Sequence, residues 1–333
     1  MGVGLDVGTN SLCVGRLDET GELSFKLERD CFYKIYTKTE VNRQAIKKSL
    51  EKRGSSFIED GPHFIVVGED ALQIAMERNG VSSRPMQKGI ISPSDKNNLP
   101  ILKLLLTGIL GKTEKDEYLV YSVPASPIDG SNFDIIYHTE ILNMFFKDLG
   151  YTSQPINEAF AIALSELIDD GLTGICFSFG AGMVNVAVIH QGDPLVEFST
   201  TRSGDYIDEA VGTALDMSPS LVQLDKEAGI DLSKPDNKLT EAVAVYYSAV
   251  LNYTIQNMQY ELKRREKELP IFTEAVPLII SGGLAMAEGF EELFKTKLEG
   301  VDLPMVIGEV RRAESPMQCV ANGCYLASEL WGK

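Results

Sequence analysis

The chain has 333 residues, 44% of them hydrophobic and 24% charged, a composition that fits a globular protein of two ordinary domains. Its net charge of −17 at pH 7 argues against nucleic acid or an anionic membrane surface as the main partner, because both attract clustered Lys and Arg. The five scattered cysteines form no C-x-x-C pair, and the three histidines have no metal-site spacing. We therefore expect a protein of the reducing cytoplasm without a disulfide framework.

The first half of the chain alternates short apolar strands with helices. Strands are predicted at residues 3–7, 9–17, 63–67 and 117–123, and helices at 69–78, 99–110 and 132–149. Residues 37–53 are charged with a weak helical period, which indicates a small exposed subdomain. The most apolar run, residues 101–110, contains Lys103 and is too short to span a bilayer. With no amphipathic helix evident at either end, no clear membrane anchor is expected.

The second half repeats this order. Helices are predicted at residues 157–168, 205–215, 238–268 and 316–330, and strands at 175–189 (with an internal turn), 194–200 and 275–280. Such alternation in two similar halves predicts an α/β protein with two sheets. Internal duplication is the simplest explanation of the repeat.

Two matching glycine turns carry the predicted chemistry. GVGLDVGTNSLCVGRL (residues 2–17) and GICFSFGAGMVNVAVI (residues 174–189) align with Ser178 over Asp6. A glycine turn of this kind gathers backbone N–H groups that bind phosphate oxygens, and Gly8 permits the close approach. Each turn taken alone is just as often an ordinary hairpin.

A carboxylate beside a polyphosphate is repelled unless a cation lies between them. Asp6 therefore predicts Mg²⁺, held directly or through its waters. A third glycine turn, at residues 282–283, also follows a predicted strand. Three such turns, each at a strand end, favour a nucleotide bound in a cleft between two domains.

Six segments, in order, resemble those of the actin, 70-kDa heat-shock chaperone and sugar-kinase superfamily. They are GLDVGTNSLCVG, INEAFAIALSELI, FSFGAGMVNVAVI, RSGDYIDEAV, LIISGGLAMAEGFEELFKTKL and SPMQCVANGCYLASEL. The resemblance implies two actin-like (ribonuclease H-like) domains, each a mixed five-stranded sheet with helices, flanking a nucleotide cleft. It implies that domain I comprises residues 1–149 and 317–333 with a small subdomain near 33–85, and domain II residues 150–316 with a small subdomain near 206–270.

Within this superfamily the likeness is strongest to bacterial filament-forming actins. FIVVGEDALQIAMERNGVSSRPMQKGIIS is similar to the V-G-x-x-A … R-P-x-x-x-G-x-I run of rod-shape and magnetosome-filament proteins. The resemblance implies ATP or ADP with Mg²⁺ as ligands and self-association into head-to-tail protofilaments, which do not close. A protein cargo or adaptor would be a further partner.

The resemblance also assigns roles to single residues. Asp6 and Glu158 are the catalytic candidates, Asp6 in ordering the Mg²⁺ shell and Glu158 in positioning the attacking water. The nucleotide-binding candidates are Gly8, Thr9, Asn10, Ser11, Ser178, Gly180, Ala181, Gly182, Gly204, Asp205, Lys226, Glu227, Gly282, Gly283 and Leu284. Structural interpretations remain open: Glu158 as an acid in a first helical turn, and Lys226 with Glu227 as a solvated helix pair.

The second loop departs from the family pattern. Relatives have D-x-G-x-G-T-T-D where this chain has Ser178, Phe179, Gly180, Ala181, Gly182, Met183, Val184 and Asn185. The glycines remain, so phosphate binding is expected to remain, but one lost charge-stabilising group can cost roughly 10²–10³ in rate. Three hypotheses stay open: a polymerising ATPase, a degenerate scaffold or adaptor that binds nucleotide without appreciable hydrolysis, and a small-molecule kinase with Asp134 or Asp205 as base.

Overall fold

The computed structural model describes residues 2–91, 97–113, 116–130 and 134–332. The first half contains β1 (Gly2–Val7), β2 (Ser11–Leu17), β3 (Leu23–Arg29), β4 (Phe32–Tyr36), α1 (Glu40–Arg53), β5 (Phe57–Asp60), β6 (His63–Val67), α2 (Glu69–Glu77), α3 (Leu99–Leu110), β7 (Tyr118–Val123), α4 (Ile135–Asp148) and β8 (Thr152–Asn157). The second half contains α5 (Glu158–Glu166), β9 (Gly174–Phe179), β10 (Val184–His190), β11 (Asp193–Thr200), α6 (Gly204–Leu215), α7 (Pro219–Glu227), α8 (Lys238–Arg264), β12 (Val276–Ser281), α9 (Phe290–Leu298), β13 (Ile307–Arg312) and α10 (Cys319–Trp331).

Two five-stranded sheets share one topology. The first has the order β3-β2-β1-β7-β8 and the second the order β11-β10-β9-β12-β13. In each sheet the first three strands pair antiparallel and the last two join in parallel. The predicted fold class, two mixed five-stranded sheets with helices, is confirmed.

Three of the four edge strands were not predicted from the sequence: β3, β8 and β13. Their residues are mostly polar, as in TSQPIN of β8, whereas the central strands β1 and β9 are almost wholly buried. An edge strand has only one neighbour and shows solvent more surface, so it lacks the apolar run that identifies a central strand.

A small three-stranded sheet, ordered β4-β6-β5, lies with α1 and α2 in the segment predicted as an exposed subdomain. Helix α1 is polar, but its ends are well capped. The Thr39 side chain accepts a hydrogen bond from the Asn42 N–H, and Gly54 ends the helix in the left-handed region at φ 77°.

Strand β8 bears on the division into domains. The predicted limit at residues 149 and 150 assigns β8 to domain II, yet β8 pairs in parallel with β7. We therefore propose that domain I extends to about residue 157, and the other limits stay predictions. Residues 132 and 133 of the predicted helix 132–149 lie outside the described residues, and α4 begins at Ile135.

The two halves meet through α5 and α10. Helix α10 packs on β1, β7 and α5, and a buried cluster between these elements includes Ile162, Cys176 and Val320. At Gly323 the two helices cross so closely that a Cβ would lie 1.8 Å from the Ala161 carbonyl oxygen. Within the described part of the chain, no helix is both long and apolar enough to cross a bilayer.

Candidate functional site

A cleft forms where the carboxyl ends of β1, β9 and β12 come together. It encloses about 620 Å³, within the usual size of a ligand pocket. The predicted site residues that line it are Asp6, Gly8, Thr9, Asn10, Ser11, Glu158, Ser178, Gly180, Ala181, Gly182, Gly204, Lys226, Glu227, Gly282, Gly283 and Leu284. Asp205 lies instead on the wall of a second, adjoining cavity of about 990 Å³.

The two glycine turns face each other across this cleft. Among the described residues, none accepts a hydrogen bond from the backbone N–H of Thr9, Asn10, Ala181 or Gly182. A Cβ on Gly182 would lie 2.2 Å from the Gly89 nitrogen and 2.5 Å from the Thr9 Oγ1. The turns therefore touch through atoms that leave no room for a side chain, and their free N–H groups form an anion-binding concavity.

Asp6 stands at the base of the cleft, near the end of β1. The Ser122 hydroxyl donates to Asp6 Oδ1 at 2.8 Å and accepts from the Val7 N–H at 2.9 Å. Burial raises the pKa of Asp6, and the Ser122 hydrogen bond opposes this only in part. The carboxyl group is therefore held in place without a cationic partner among the described side chains.

Glu158 lies close to Asp6, at the first position of α5. Asn157 caps this helix by accepting from the Phe160 N–H at 3.1 Å. Burial raises the pKa of Glu158, the charge of Asp6 adds to the rise, and a hydrogen bond from Ser178 opposes it. Two acidic side chains thus lie close together at the base of the cleft, and a bound cation would reduce the repulsion between them.

Both oxygens of Glu158 accept hydrogen bonds from the β9–β10 hairpin. Ser178 Oγ donates to Oε1 at 2.5 Å, and Asn185 Nδ2 donates to Oε2 at 2.8 Å. Asn185 Oδ1 in turn accepts from the Ala125 N–H at 2.9 Å. The two positions where relatives carry acids thus hold Glu158 through neutral donors.

The third turn follows β12. Gly282 has φ 90°, and a Cβ there would lie 2.5 Å from the Phe179 carbonyl oxygen, so glycine is required. Gly283 differs, because a Cβ there would meet no protein atom within 4 Å. The Gly283 position therefore opens directly into the cleft, and Leu284 adds a buried apolar side chain beside it.

Lys226 pairs with groups in its own half of the chain. Its Nζ lies 2.7 Å from Asp208 Oδ1 and donates to the Gly204 carbonyl oxygen at 3.1 Å. Both side chains of the ion pair are less than a tenth exposed. Lys226 therefore shapes the cleft wall rather than offering a free ammonium group.

A polar network joins the two halves at the mouth of the cleft. We call it the cross-cleft clasp, and its members are Asn10, Arg29 and Arg84 on one side and Asp205, Gln223 and Glu227 on the other. Arg29 donates to both Glu227 oxygens, at 2.9 and 2.5 Å. Arg84 donates to Asp205 at 2.6 Å and to Gln223 at 2.8 Å, and Gln223 donates to Asn10 at 2.8 Å. Burial tends to raise the pKa of Glu227, but the hydrogen bonds from Arg29 and Gln223 outweigh it, so the pKa is lowered overall.

Sequence reasoning missed Ser122, Arg29 and Gln223, which hold predicted residues in place, and it named Asn185 without its role in holding Glu158. Ser122 lies near the end of β7, the parallel neighbour of β1, so it could have been expected beside Asp6. Asn185 sits opposite Ser178 in the β9–β10 register and could also have been found. Arg29 gave no local signal, because its partner Glu227 is 198 positions away. Gln223 also donates to Glu227, four residues further on, but its bond to Asn10 spans 213 positions.

In the part of the chain that the structure describes, no cluster of three or more His, Cys, Asp or Glu side chains suits a metal ion.

Comparison with known proteins confirms the fold. A family model described as Volactin matches residues 1–328, whereas no curated protein matches in sequence. The solved structure described as the MamK double helical filament is 18% identical over 98% of both chains, with a TM-score of 0.71. MreB5 of Spiroplasma citri bound to AMPPNP is 15% identical over 97% of this chain and 94% of that one, with a TM-score of 0.67. The ethanolamine utilization protein EutJ from Carboxydothermus hydrogenoformans is 14% identical over 97% and 88%, with a TM-score of 0.56. The predicted actin-like ATPase fold of the MreB and MamK kind is thus confirmed.

Proposed function

The chain belongs to the Volactin family, and we propose that it binds ATP or ADP with Mg²⁺ in the cleft and assembles head to tail into cytoskeletal filaments. ATP binding favours assembly, and slow hydrolysis reverses it. The observation that carries this proposal is the cleft, where two facing glycine turns stand above paired acids on a fold shared with a filament of MamK. The assembly part of the proposal is supported by the filaments of relatives, through analogy of fold alone.

The cleft suits a nucleotide polyphosphate. The unpartnered N–H groups of Thr9, Asn10, Ala181 and Gly182 come from both turns and are fixed partial positive charges. The open space beside Gly283, next to Leu284, suits the flat face of a nucleoside. The phosphates would thus lie between the turns, with the base towards the β12 side.

The base of the cleft suits Mg²⁺. Its donors are oxygen atoms, from the Asp6 carboxylate and the Ser178 hydroxyl, which is the ligand type that Mg²⁺ prefers. Because two acids are buried there without a cationic partner among the described residues, a divalent ion would stabilise their charged forms. Asp6 and Ser178 would hold Mg²⁺, through water, and the ion would supply positive charge against the phosphates.

Glu158 would act on the water molecule. Its carboxylate accepts a hydrogen bond from the water and orients the water oxygen in line with the γ-phosphorus. The new P–O bond forms as the bond from the γ-phosphorus to the β–γ bridging oxygen breaks. The bridging oxygen stays with ADP, and the protons of the water leave with inorganic phosphate and to solvent.

A second candidate is a scaffold that binds nucleotide without appreciable hydrolysis. Ser178 and Asn185 favour it, because they provide no charge where relatives have acids. It shares the filament-forming fold and differs only in turnover, so the two candidates are separated by one measurement.

The test combines sedimentation with phosphate release. Purified protein is incubated with Mg²⁺ and ATP, AMPPNP or ADP, pelleted, and viewed by electron microscopy while released phosphate is measured. We expect polymer with ATP and AMPPNP, less with ADP, and phosphate release from ATP. Absence of polymer at every salt and protein concentration would refute assembly, and polymer without phosphate release would favour the scaffold.

Gly283→Leu provides the matched binding control. Its side chain enters open space in the cleft, so it should block the nucleotide without disturbing the fold. Gly108→Ala, in an open position on α3, should leave binding and assembly unchanged.

We further propose a cytoplasmic location with protein cargo or adaptors on the filament surface. All five cysteines are buried and free, which suits a reducing compartment. Fluorescence microscopy of the tagged chain, followed by crosslinking of its partners, tests both points.

A further inference from the structure

The uncharged Ser178–Asn185 pair supplies two hydrogen-bond donors to Glu158. The two residues stand directly opposite each other in the antiparallel register of β9 and β10, and both donate to one carboxylate. Cross-strand neighbours point to the same face of a sheet, so the hairpin presents two donors side by side. Each oxygen of Glu158 thus has its own donor.

The amide of Asn185 has one orientation that satisfies it. Its Oδ1 accepts from the Ala125 N–H, so its Nδ2 must face Glu158. The side chain is 1% exposed and lies behind the cleft wall rather than in it. Asn185 therefore fixes Glu158 without reaching the space that a ligand would occupy.

The position opposite Ser178 calls for a neutral donor. Asp6 on β1 already lies near Glu158, so an acid in place of Asn185 would add a further negative charge at hydrogen-bond distance from the carboxylate. The amide of Asn185 instead supplies a hydrogen bond to Oε2.

We propose that Asn185 is a positioning residue that keeps Glu158 oriented, so that Glu158 can accept a hydrogen bond from the attacking water. This inference rests on the proposed function, because it assumes ATP hydrolysis at this site. Asn185 and Ser178 would thus compensate for the two acids of the family pattern that they replace.

Asn185→Asp tests the inference. The variant retains an oxygen for the Ala125 N–H but replaces the donor to Glu158 with a carboxylate. Phosphate release from Mg²⁺ and ATP is measured with the full chain at pH 7, alongside AMPPNP binding. We expect the rate to fall by roughly tenfold or more, with AMPPNP affinity changed by less than about threefold.

Two further variants separate positioning from folding. Asn143→Asp is the matched control. Among the described residues Asn143 only accepts hydrogen bonds, from Tyr121 and Ser153, so this variant should leave the rate unchanged. Asn185→Thr suits a strand, but its hydroxyl is too short to bridge Ala125 and Glu158, so it should also slow hydrolysis. It supplies the result if Asn185→Asp does not fold.

The outcomes are distinguishable. Wild-type turnover in both Asn185 variants would overturn the inference and leave the proposed function standing. A loss of rate that matches a loss of AMPPNP binding would also overturn it. Nucleotide binding by the wild type without any turnover would overturn the hydrolysis that the inference assumes, and the inference with it.

Discussion

Ser178→Asp restores the acid that relatives carry and should destabilise the free protein. The Ser178 hydroxyl lies 2.5 Å from Glu158 Oε1, so the new carboxylate would face Glu158 with the two charges about 4 Å apart. At an effective dielectric near 20, that repulsion is about 4 kcal/mol. The two carboxyl groups avoid part of this repulsion by sharing a proton. Keeping that proton costs about 1.4 kcal/mol for each unit by which the pH exceeds the raised pKa of the pair.

The sign of the pH dependence follows from the direction of the pKa shift. Acids with a raised folded pKa keep a proton that the unfolded chain has released, so stability falls as pH rises above the unfolded value of about 4. We therefore expect Ser178→Asp to cost about 2–4 kcal/mol at pH 8 and less at pH 6. Mg²⁺ with ADP should reduce the deficit, because a divalent cation compensates the added charge.

Urea unfolding of the wild type, Ser178→Asp and Ser178→Ala at pH 6 and 8, with and without Mg²⁺ and ADP, measures this. Ser178→Ala removes the hydrogen bond without adding charge, so its cost of about 1–3 kcal/mol should depend little on Mg²⁺. A Ser178→Asp protein as stable as wild type at pH 8 without divalent ions would show that position 178 and Glu158 are not electrostatically coupled.

Three other substitutions probe the cleft and its surroundings. Gly182→Ala places a Cβ 2.2 Å from a backbone nitrogen, so urea unfolding should show a loss of about 1–3 kcal/mol and calorimetry weaker ADP binding, whereas Gly108→Ala should lose neither. Glu227→Gln weakens the pairing with Arg29, so a fluorescent nucleotide should dissociate up to about fivefold faster at low salt, and equal rates there would contradict the clasp. Asp30→Asn should stabilise the fold at pH 8 but not at pH 4, because burial raises the pKa of Asp30 and its carboxyl oxygens have no hydrogen-bond partner among the described residues. Destabilisation at pH 8, measured by urea unfolding, would contradict this.

The sequence predicts what depends on local pattern. Central strands such as β1 and β9 are apolar runs ended by a glycine turn, so both the strands and the phosphate-binding turns could be identified. The edge strand β8 could not, because its polar residues and Pro155 give no alternating pattern.

Contacts between residues that are far apart in the sequence could not be predicted from local pattern. Nothing near Asp205 indicates that its partner is Arg84, 121 positions earlier, rather than a ligand. Lys226 likewise gives no sign of its buried ion pair with Asp208. Such pairings follow from how the two halves face each other, which the order of motifs does not specify.

The close crossing of α5 and α10 has a mechanical consequence. At Gly323 the backbones of the two helices meet with no side chain between them. A larger residue at this position would push the helices apart, and with them the two sheets that they join. The gap between the phosphate-binding turns would then be set at a glycine remote from any ligand, and its width could drift through evolution without a change in a single binding residue.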